Sequence, residues 1–251
     1  MVHAAPPLIA HRGNALEYPE NTLPAFESAL QLGLRHVELD VQLSRDQVPF
    51  VLHDATLDRT CGIAGAVWDR TATELRQVAA AESARFGAAH AGVRLPDLAS
   101  ALALLQRWPD AGLFVEIKTE SIGHFGLQTV LHAVLELLTG RPGHWTVISF
   151  DYEAVERARA LSALPIGWVL TRYDADSAER ARALAPDFLF CNWQKLPTQE
   201  ALWQGPWRWC SYEVREVGRA RSLLAHGVDL VETMAVRKMR DALGGGAATP
   251  T

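Results

Sequence analysis

Two carboxylates stand two residues apart in an apolar run of the sequence, at Glu38 and Asp40. If this run is a β-strand, both carboxylates share one face while Val37, Leu39 and Val41 share the other. Two carboxylates among apolar neighbours repel each other and lose hydration, so they need a cation or a strong donor to remain charged. The pair therefore indicates a binding site.

The apolar run that begins at Phe114 carries a third carboxylate, Glu116, with Lys118 two residues later on the same predicted strand face. A salt bridge to Lys118 would explain Glu116 taken alone, but the paired carboxylates favour a shared metal site. Three converging carboxylates, Glu38, Asp40 and Glu116, suit a hard divalent cation, Mg²⁺ or Ca²⁺ rather than Zn²⁺. Because lysine is seldom buried without a partner, Lys118 is a candidate for anion binding.

Two histidines, His11 and His53, end further apolar runs, and each precedes a charged residue, Arg12 or Asp54. A single histidine near a strand end is usually a structural hydrogen-bonding residue. Two of them flanking a carboxylate cluster indicate acid–base chemistry, which a pKa near neutrality permits. The planar donors of Arg12 suit phosphate oxygens, and with a cation and Lys118 they would neutralise a phosphodiester in its transition state.

Strand and helix patterns that alternate along the chain must position these residues. Eight strand patterns with helices between them are the requirement for a (β/α)₈ TIM barrel, whose active site lies at the C-terminal ends of the strands. The candidate residues fall at or near such ends. The predicted strands are 8–11, 35–43, 112–118, 145–149, 165–170, 187–191, 208–213 and 228–232. The predicted helices include 97–108, 125–138, 152–161, 177–184, 198–203 and 217–226.

The segment after the second predicted strand departs from this alternation. A polar turn about Arg45 and Asp46 precedes an extended arm at 48–53. A hairpin there would bring His53 level with the two carboxylates of the second strand. Residues 55–94 then contain one clear helix start, the capping box from Thr71 to Glu74, and little apolar sequence. We therefore predict a small insertion at 55–94 rather than an independent domain.

The composition limits the class of protein. A length of 251 residues matches one barrel of ~250 residues, so we predict a single domain over 1–251, with a disordered tail at 244–251. The net charge of −5 argues against general binding to nucleic acid or to anionic membrane. Three cysteines without metal-type spacing indicate reduced thiols and a cytoplasmic location. Neither a signal-peptide pattern nor an apolar stretch of membrane-spanning length is recognised.

Several short motifs follow one another along the chain: His11-Arg12-Gly13, Pro19-Glu20-Asn21-Thr22, Glu38-Leu39-Asp40-Val41, residues 49–54 and 57–60, Glu116-Ile117-Lys118, Ser149-Phe150 and Gly227-Val228-Asp229. In these motifs and their order the chain resembles the glycerophosphodiester phosphodiesterase family. The resemblance covers nearly the whole chain and is stronger in the first half. Several motifs in the right order are more specific than any one of them.

The resemblance implies metal-dependent hydrolysis of glycerophosphodiesters to an alcohol and glycerol 3-phosphate. It implies that His11 and His53 are the general acid and the general base, in an order that the sequence leaves open. It also implies that Arg12, Lys118 and Phe150 contact the substrate and that residues 55–94 lie over the barrel mouth. The expected partner is a small-molecule substrate, while the oligomeric state stays open.

Departures from the family motifs leave the substrate less certain than the chemistry. Tyr212-Glu213-Val214-Arg215 stands where many members have Trp-Thr-Val-Asn, and Thr233-Met234 where they have Thr-Asp. A lysophospholipid or another phosphodiester is an alternative, and so is a catalytically silent binding barrel, although every catalytic and metal-binding candidate is present. The nucleophile is also open, between a metal-bound water and the glycerol hydroxyl beside the phosphoester.

Further residues near strand ends are weaker candidates. His36 shares the face of Glu38 but lies deeper in its strand, so a core histidine is the favoured interpretation. Trp193, Trp209 and Tyr212 would line the barrel mouth or pack in the core. Core packing is favoured for these three.

Overall fold

The computed structural model describes residues 5–244. Its nine strands are β1 (Leu8–Ala10), β2 (His36–Leu43), β3 (Pro49–Val51), β4 (Gly112–Ile117), β5 (His144–Ser149), β6 (Ile166–Leu170), β7 (Phe188–Asn192), β8 (Arg208–Tyr212) and β9 (Leu230–Thr233). Eight of them are parallel and close into a barrel, because β1 pairs with β2 on one side and with β9 on the other. The predicted (β/α)₈ barrel is confirmed. The remaining strand, β3, runs antiparallel to β2 outside the barrel.

The helices are α1 (Leu23–Gln31), α2 (Asp58–Cys61), α3 (Ala72–Leu75), α4 (Ser83–Phe86), α5 (Leu98–Leu105), α6 (Thr119–Phe125), α7 (Leu127–Thr139), α8 (Tyr152–Leu161), α9 (Ala175–Leu184), α10 (Val217–Ala225) and α11 (Val236–Leu243). Three of the outer helices begin at an aspartate, Asp97, Asp151 or Asp174, whose carboxylate accepts a backbone N–H of the first turn at 2.9 Å. Such caps satisfy donors that the helix itself leaves free. No helix within residues 5–244 has the length and apolar character to cross a membrane.

Two apolar layers hold the barrel together. One lies between the strands and the helices and contains the outward side chains of β2. The other fills the barrel interior with one side chain from most strands: Ile9, Phe114, Ile148, Val169, Phe190, Cys210 and Leu230. The barrel interior is therefore filled by apolar side chains. The side chains two residues further along the same strand faces lie above this layer, at the mouth of the barrel.

The hairpin predicted after the second strand is present. Val51 pairs with Val41, and the turn is held by the Gln47 N–H, which donates to the Ser44 carbonyl at 2.8 Å. The capping box at Thr71 also forms, with the Glu74 N–H donating to its hydroxyl. Residues of β3 and the following insertion share a small apolar cluster of Phe50, Leu52, Leu57, Val67, Ala72, Leu75, Ala80 and Leu95. The insertion thus packs against the hairpin through apolar contacts.

The helix predicted at 198–203 is wrong, since the described chain has no helix between β7 and β8. The seven residues between Pro197 and the Gly205-Pro206 pair are too few for a stable helix by themselves. Their apolar side chains are used instead to pack on neighbours, with Trp203 stacked on Tyr173 at 3.9 Å between ring centroids. Long-range packing therefore decides the conformation of this segment.

Two other helix predictions need correction. The pattern predicted as one helix at 125–138 begins at Leu127, after a separate helix, α6, that ends at Phe125. Gly126, with a φ of 81°, makes the break between them. Helix α11, which buries Val236 and Met239, was not predicted at all. Apart from Gly244, the predicted disordered tail at 244–251 lies outside the described residues.

Candidate active site

The alternation of β2 turns Glu38 and Asp40 into the barrel, while their apolar neighbours face the helices. Each residue is only 1% exposed. Asp40 is paired in register with Glu116 on β4, so strand pairing itself brings the third carboxylate to the same place. One oxygen from each of the three carboxylates lies within 4.8 Å of the other two. The three predicted metal ligands therefore converge at the mouth of the barrel.

The turn that follows β1 presents Arg12 to these carboxylates. Its backbone N–H donates to Glu38 Oε2 at 3.1 Å, and its Nε lies 3.1 Å from Asp40 Oδ2. Arg12 adopts a left-handed φ of 56°, a conformation that costs a non-glycine residue about 1–2 kcal/mol. At Gly13 a Cβ would lie 2.7 Å from the backbone of Ala25. The glycine thus allows helix α1 to pack against the turn that holds the arginine.

Lys118 lies just beyond β4 and contacts two of the carboxylates. Its Nζ is 2.8 Å from Glu116 Oε1 and 3.3 Å from Asp40 Oδ1. Burial alone would raise the pKa of Asp40, but Arg12 and Lys118 hold it below its usual value. Burial and the neighbouring Asp40 raise the pKa of Glu116 to about 7. The two cations therefore neutralise Asp40 much better than they neutralise the other carboxylates.

The two candidate histidines have different surroundings. Burial, with the charge of Arg12, lowers the pKa of His11 to about 3, so its ring is neutral near pH 7. The Nε2 of His11 is 3.9 Å from Glu38 Oε2. His53 is partly exposed, and its Nδ1 is 2.6 Å from Asp54 Oδ1. This contact leaves Nε2 as the nitrogen of His53 that is free to meet a substrate.

A network of ion pairs behind His53 fixes the position of Asp54. Arg59, from α2, binds Asp54 through Nε at 2.6 Å and binds both oxygens of Glu20 at 2.8 Å. Glu20 also accepts from Arg12 at 2.9 Å. Burial alone would raise the pKa of Asp54, but hydrogen bonds from Arg59 and His53 lower it to about 2, so the group is ionised. The network links the insertion directly to the turn after β1.

A cavity of about 270 Å³ opens at this end of the barrel. His11, Arg12, His53, Glu116, Lys118 and Phe150 line it together with Tyr212 and Glu213. Both histidines, both basic residues, Phe150 and one of the carboxylates thus face a single space. The ring of Phe150 meets that of Tyr212 edge-on, with 6.3 Å between centroids. The cavity therefore has a charged wall and an aromatic wall.

Comparison with known proteins identifies the family. The sequence matches the profile of the glycerophosphoryl diester phosphodiesterase family over residues 11–233. The chain belongs to this family. Its barrel superposes on a phosphodiesterase of Oleispira antarctica, solved in complex with the product sn-glycerol-3-phosphate, with a TM-score of 0.86 and 26% identity. That match covers 96% of this chain and 98% of the other.

Curated members of the family are similar over shorter stretches. A glycerophosphodiester phosphodiesterase of Caldanaerobacter subterraneus is 39% identical over 124 residues, which are 49% of this chain and 50% of the relative. A putative glycerophosphodiester phosphodiesterase of Bacillus subtilis is 36% identical over 161 residues, 61% of each protein. The matched part of the chain thus spans about half to three fifths of the length of these relatives.

The carboxylates of this family member have the chemistry that a hard cation needs. Glu38 Oε1 is buried and has no hydrogen-bond partner within the described chain. Burial and the neighbouring Asp40 raise the pKa of Glu38 well above its usual value. Oxygen ligands, high negative charge and an unpartnered oxygen all fit Mg²⁺ or Ca²⁺. Glu38, Asp40 and Glu116 could therefore hold such an ion.

Some residues that build the site were not singled out from the sequence. Asn21, from the motif Pro19-Glu20-Asn21-Thr22, donates to Asp40 Oδ2 at 2.8 Å. Glu20 and Arg59, also within quoted motifs, form the ion-pair network. Glu232 was missed entirely, although it has the same alternation on β9 as Leu230 of the barrel interior. That parity was the available signal.

The weaker candidates divide between core and cavity. His36 packs near Phe114 at the opposite end of β2, and burial lowers its pKa to about 4, consistent with a core histidine. Trp209 is buried and donates its indole N–H to the Trp203 carbonyl, so it also belongs to the core. Trp193 lies under the guanidinium of Arg219, away from the cavity lining. Tyr212 lines the cavity and also packs against the apolar cluster of the barrel interior, so both interpretations apply to it.

Proposed function

We propose that this family member hydrolyses glycerophosphodiesters to an alcohol and glycerol 3-phosphate. The observation that carries the proposal is the single cavity lined by His11, His53, Arg12 and Lys118 beside the carboxylate cluster. Two histidines supply acid and base, and the basic residues suit a phosphodiester anion. The product bound to the Oleispira protein, which has the same fold, agrees with this choice of substrate.

The two histidines would exchange protons with the reacting oxygens. His11, whose ring is neutral and lines the cavity, would accept the proton of the attacking hydroxyl. His53, whose Nδ1 is bound to the ionised Asp54, donates a proton through Nε2 to the oxygen of the departing alcohol. A positioned group of this kind contributes roughly 10²–10⁴-fold to the rate.

The attacking hydroxyl would be the glycerol 2-hydroxyl of the substrate itself, because none of the described residues that line the cavity is a serine, threonine or cysteine. Ser149 is fully buried and donates its hydroxyl to the Ile117 carbonyl at 2.8 Å. A tethered and oriented hydroxyl has an advantage of several kcal/mol over a free nucleophile. Its oxygen forms a bond to phosphorus as the bond to the alcohol breaks, which gives a cyclic phosphate. Water then opens the ring, with the two histidines in exchanged roles.

Arg12 and Lys118 would hold the phosphate oxygens on the charged wall of the cavity. Burial alone would lower the pKa of each, yet Asp40 raises both, so both side chains remain cationic. Glu38, Asp40 and Glu116 would hold a divalent cation, Mg²⁺ or Ca²⁺, which when bound stabilises negative charge on the phosphate oxygens. Phe150 and Tyr212 would contact the glycerol or the alcohol of the substrate.

The net charge and the cysteines of the chain agree with a small-molecule substrate and a cytoplasmic location. The net charge of −5 does not favour binding to nucleic acid, and the three cysteines are free thiols.

The decisive experiment is a panel assay with purified protein and Mg²⁺ or Ca²⁺. Glycerophosphocholine and glycerophosphoethanolamine should be hydrolysed to glycerol 3-phosphate. Hydrolysis of lysophospholipids alone would replace the proposed substrate, and no hydrolysis of any diester would indicate a silent barrel.

A further inference from the structure

A fourth carboxylate, that of Glu232 on β9, lies inside the barrel beside the three already described. Glu232 is 4% exposed and is paired in register with Ile9 of β1, which lies two residues before His11. One oxygen of Glu232 lies within 4.8 Å of a ligand atom of Glu38 and one of His11. Glu38 therefore belongs to two overlapping groups of ligand atoms, one towards β4 and one towards β9.

The charges at this end of the barrel do not balance. Four buried carboxylates, Glu38, Asp40, Glu116 and Glu232, face two permanent cations, Arg12 and Lys118. Glu20, which also contacts Arg12, has a second cation in Arg59. With all four carboxylates ionised, this set of groups carries two negative charges in excess, which is the charge that one divalent cation neutralises. Buried charges without such compensation are costly.

The excess charge is concentrated on Glu38 and Glu232. Both basic side chains reach Asp40, and Lys118 also reaches Glu116. Within residues 5–244, Glu232 takes part in no ion pair. In the same part of the chain, the only basic side chain within 4.0 Å of the Glu38 carboxylate is that of His11, at 3.9 Å, and its ring is neutral. Each of the two glutamates also keeps a buried Oε1 without a hydrogen-bond partner in the described chain. Two unpartnered oxygens thus lie on β2 and β9, the two strands that flank β1.

From this arrangement we infer that Glu232 is a further ligand of the divalent cation, which lies against Glu38 on the side of β9. The inference rests on the proposed function and extends its metal site from three carboxylates to four. The ion is of the hard, oxygen-preferring class, since carboxylate oxygens outnumber the one imidazole nearby. His11 stays free for proton transfer. Glu38 is the ligand shared by both sides of the site.

The test compares cation affinity in full-length wild-type protein and Glu232→Gln. Metal-free protein is titrated with Ca²⁺ and Mg²⁺ by calorimetry and with Mn²⁺ by electron paramagnetic resonance. Loss of an outer-shell partner of a metal site costs about 10–100-fold in affinity, so loss of a ligand should cost at least as much. The rise in melting temperature that each cation produces should shrink in parallel, because that rise depends on affinity.

Two further variants make the result specific. Glu213→Gln removes the same charge from an exposed residue that lines the same cavity, and it should change cation affinity by less than about threefold, because exposed charges act through water. Glu232→Asp keeps the charge and should recover part of the lost affinity. In EDTA at pH 8, Glu232→Gln should melt no lower than wild type, since it removes an unpaired buried charge.

The outcomes separate this inference from the proposed function. Unchanged cation affinity in Glu232→Gln would overturn the inference while leaving metal-dependent hydrolysis intact. A lower melting temperature in EDTA with unchanged affinity would do the same and would assign Glu232 a packing role. Wild-type protein that binds no divalent cation and hydrolyses glycerophosphodiesters in excess EDTA would overturn both the four-ligand site and the metal dependence.

Discussion

Replacing His53 with asparagine separates a catalytic histidine from a structural one. The side chain of His53 is 33% exposed, and its hydrogen-bond partner is Asp54, at 2.6 Å. Asparagine keeps a donor that can reach Asp54 but lacks the ring nitrogen that faces the cavity. Even complete loss of this hydrogen bond would cost about 0.5–1.5 kcal/mol, which for a chain of this size lowers the melting temperature by roughly 1–6 °C.

The expected loss of activity is much larger than this loss of stability. Removing a positioned proton-transfer group lowers the rate roughly 10²–10⁴-fold, equivalent to about 3–5 kcal/mol in the barrier. The rate is measured at saturating glycerophosphocholine by release of choline, and folding is measured by circular dichroism melting. The matched control is His132→Asn, at a side chain that is 81% exposed on α7. A His53→Asn enzyme with near-normal turnover would show that His53 is structural.

Three other predictions follow from the same site. EDTA should abolish hydrolysis, and Mg²⁺ or Ca²⁺ should restore it. The Glu38→Gln variant should fold normally yet show no measurable cation binding by calorimetry. Full activity in excess chelator would remove the metal from the mechanism. Metal-free wild type compared with Glu116→Gln should show a contribution of Glu116 to stability that falls between about pH 4.5 and 7, because a raised folded-state pKa, about 7 for Glu116, gives stability that is present below the unfolded-state pKa and lost as pH rises. A melting-temperature difference between the two proteins in EDTA that changes in wild type's favour over this range would contradict the sign. A substrate analogue with hydrogen in place of the glycerol 2-hydroxyl should bind but not react, measured by calorimetry and by phosphate-ester turnover; turnover close to that of the parent diester would instead support direct attack by water.

Local periodicity accounts for the parts of the fold that sequence predicted well. The strands lie within about two residues of their predicted bounds, because a strand alternates apolar and polar side chains with a period of two. The same period placed Glu38 and Asp40 on one face, and the short hairpin after β2 placed His53 beside them. These features depend on contacts between residues close in the chain, and the turn residues encode them directly.

Predictions failed where the chain's conformation depends on distant partners. The segment 198–203 has a helical composition, but Trp203 packs on Tyr173 and Trp209 and the helix does not form. Tyr212 packs on the apolar interior as expected, but only the closed barrel shows that it also lines the cavity. For residues 198–203, the energy of tertiary packing exceeds the weak helix preference of a short segment.

The sequence by itself therefore determined the family, the barrel and the carboxylates of one strand. Only the tertiary structure decided which other charges meet them. Closure of the barrel pairs β1 with β9 and so brings Glu232, from near the end of the chain, beside Glu38. The insertion likewise brings Arg59 to Glu20 and Asp54. No local pattern encodes these side-chain contacts, because they form between strands and loops that are far apart in the sequence and share one end of a closed sheet.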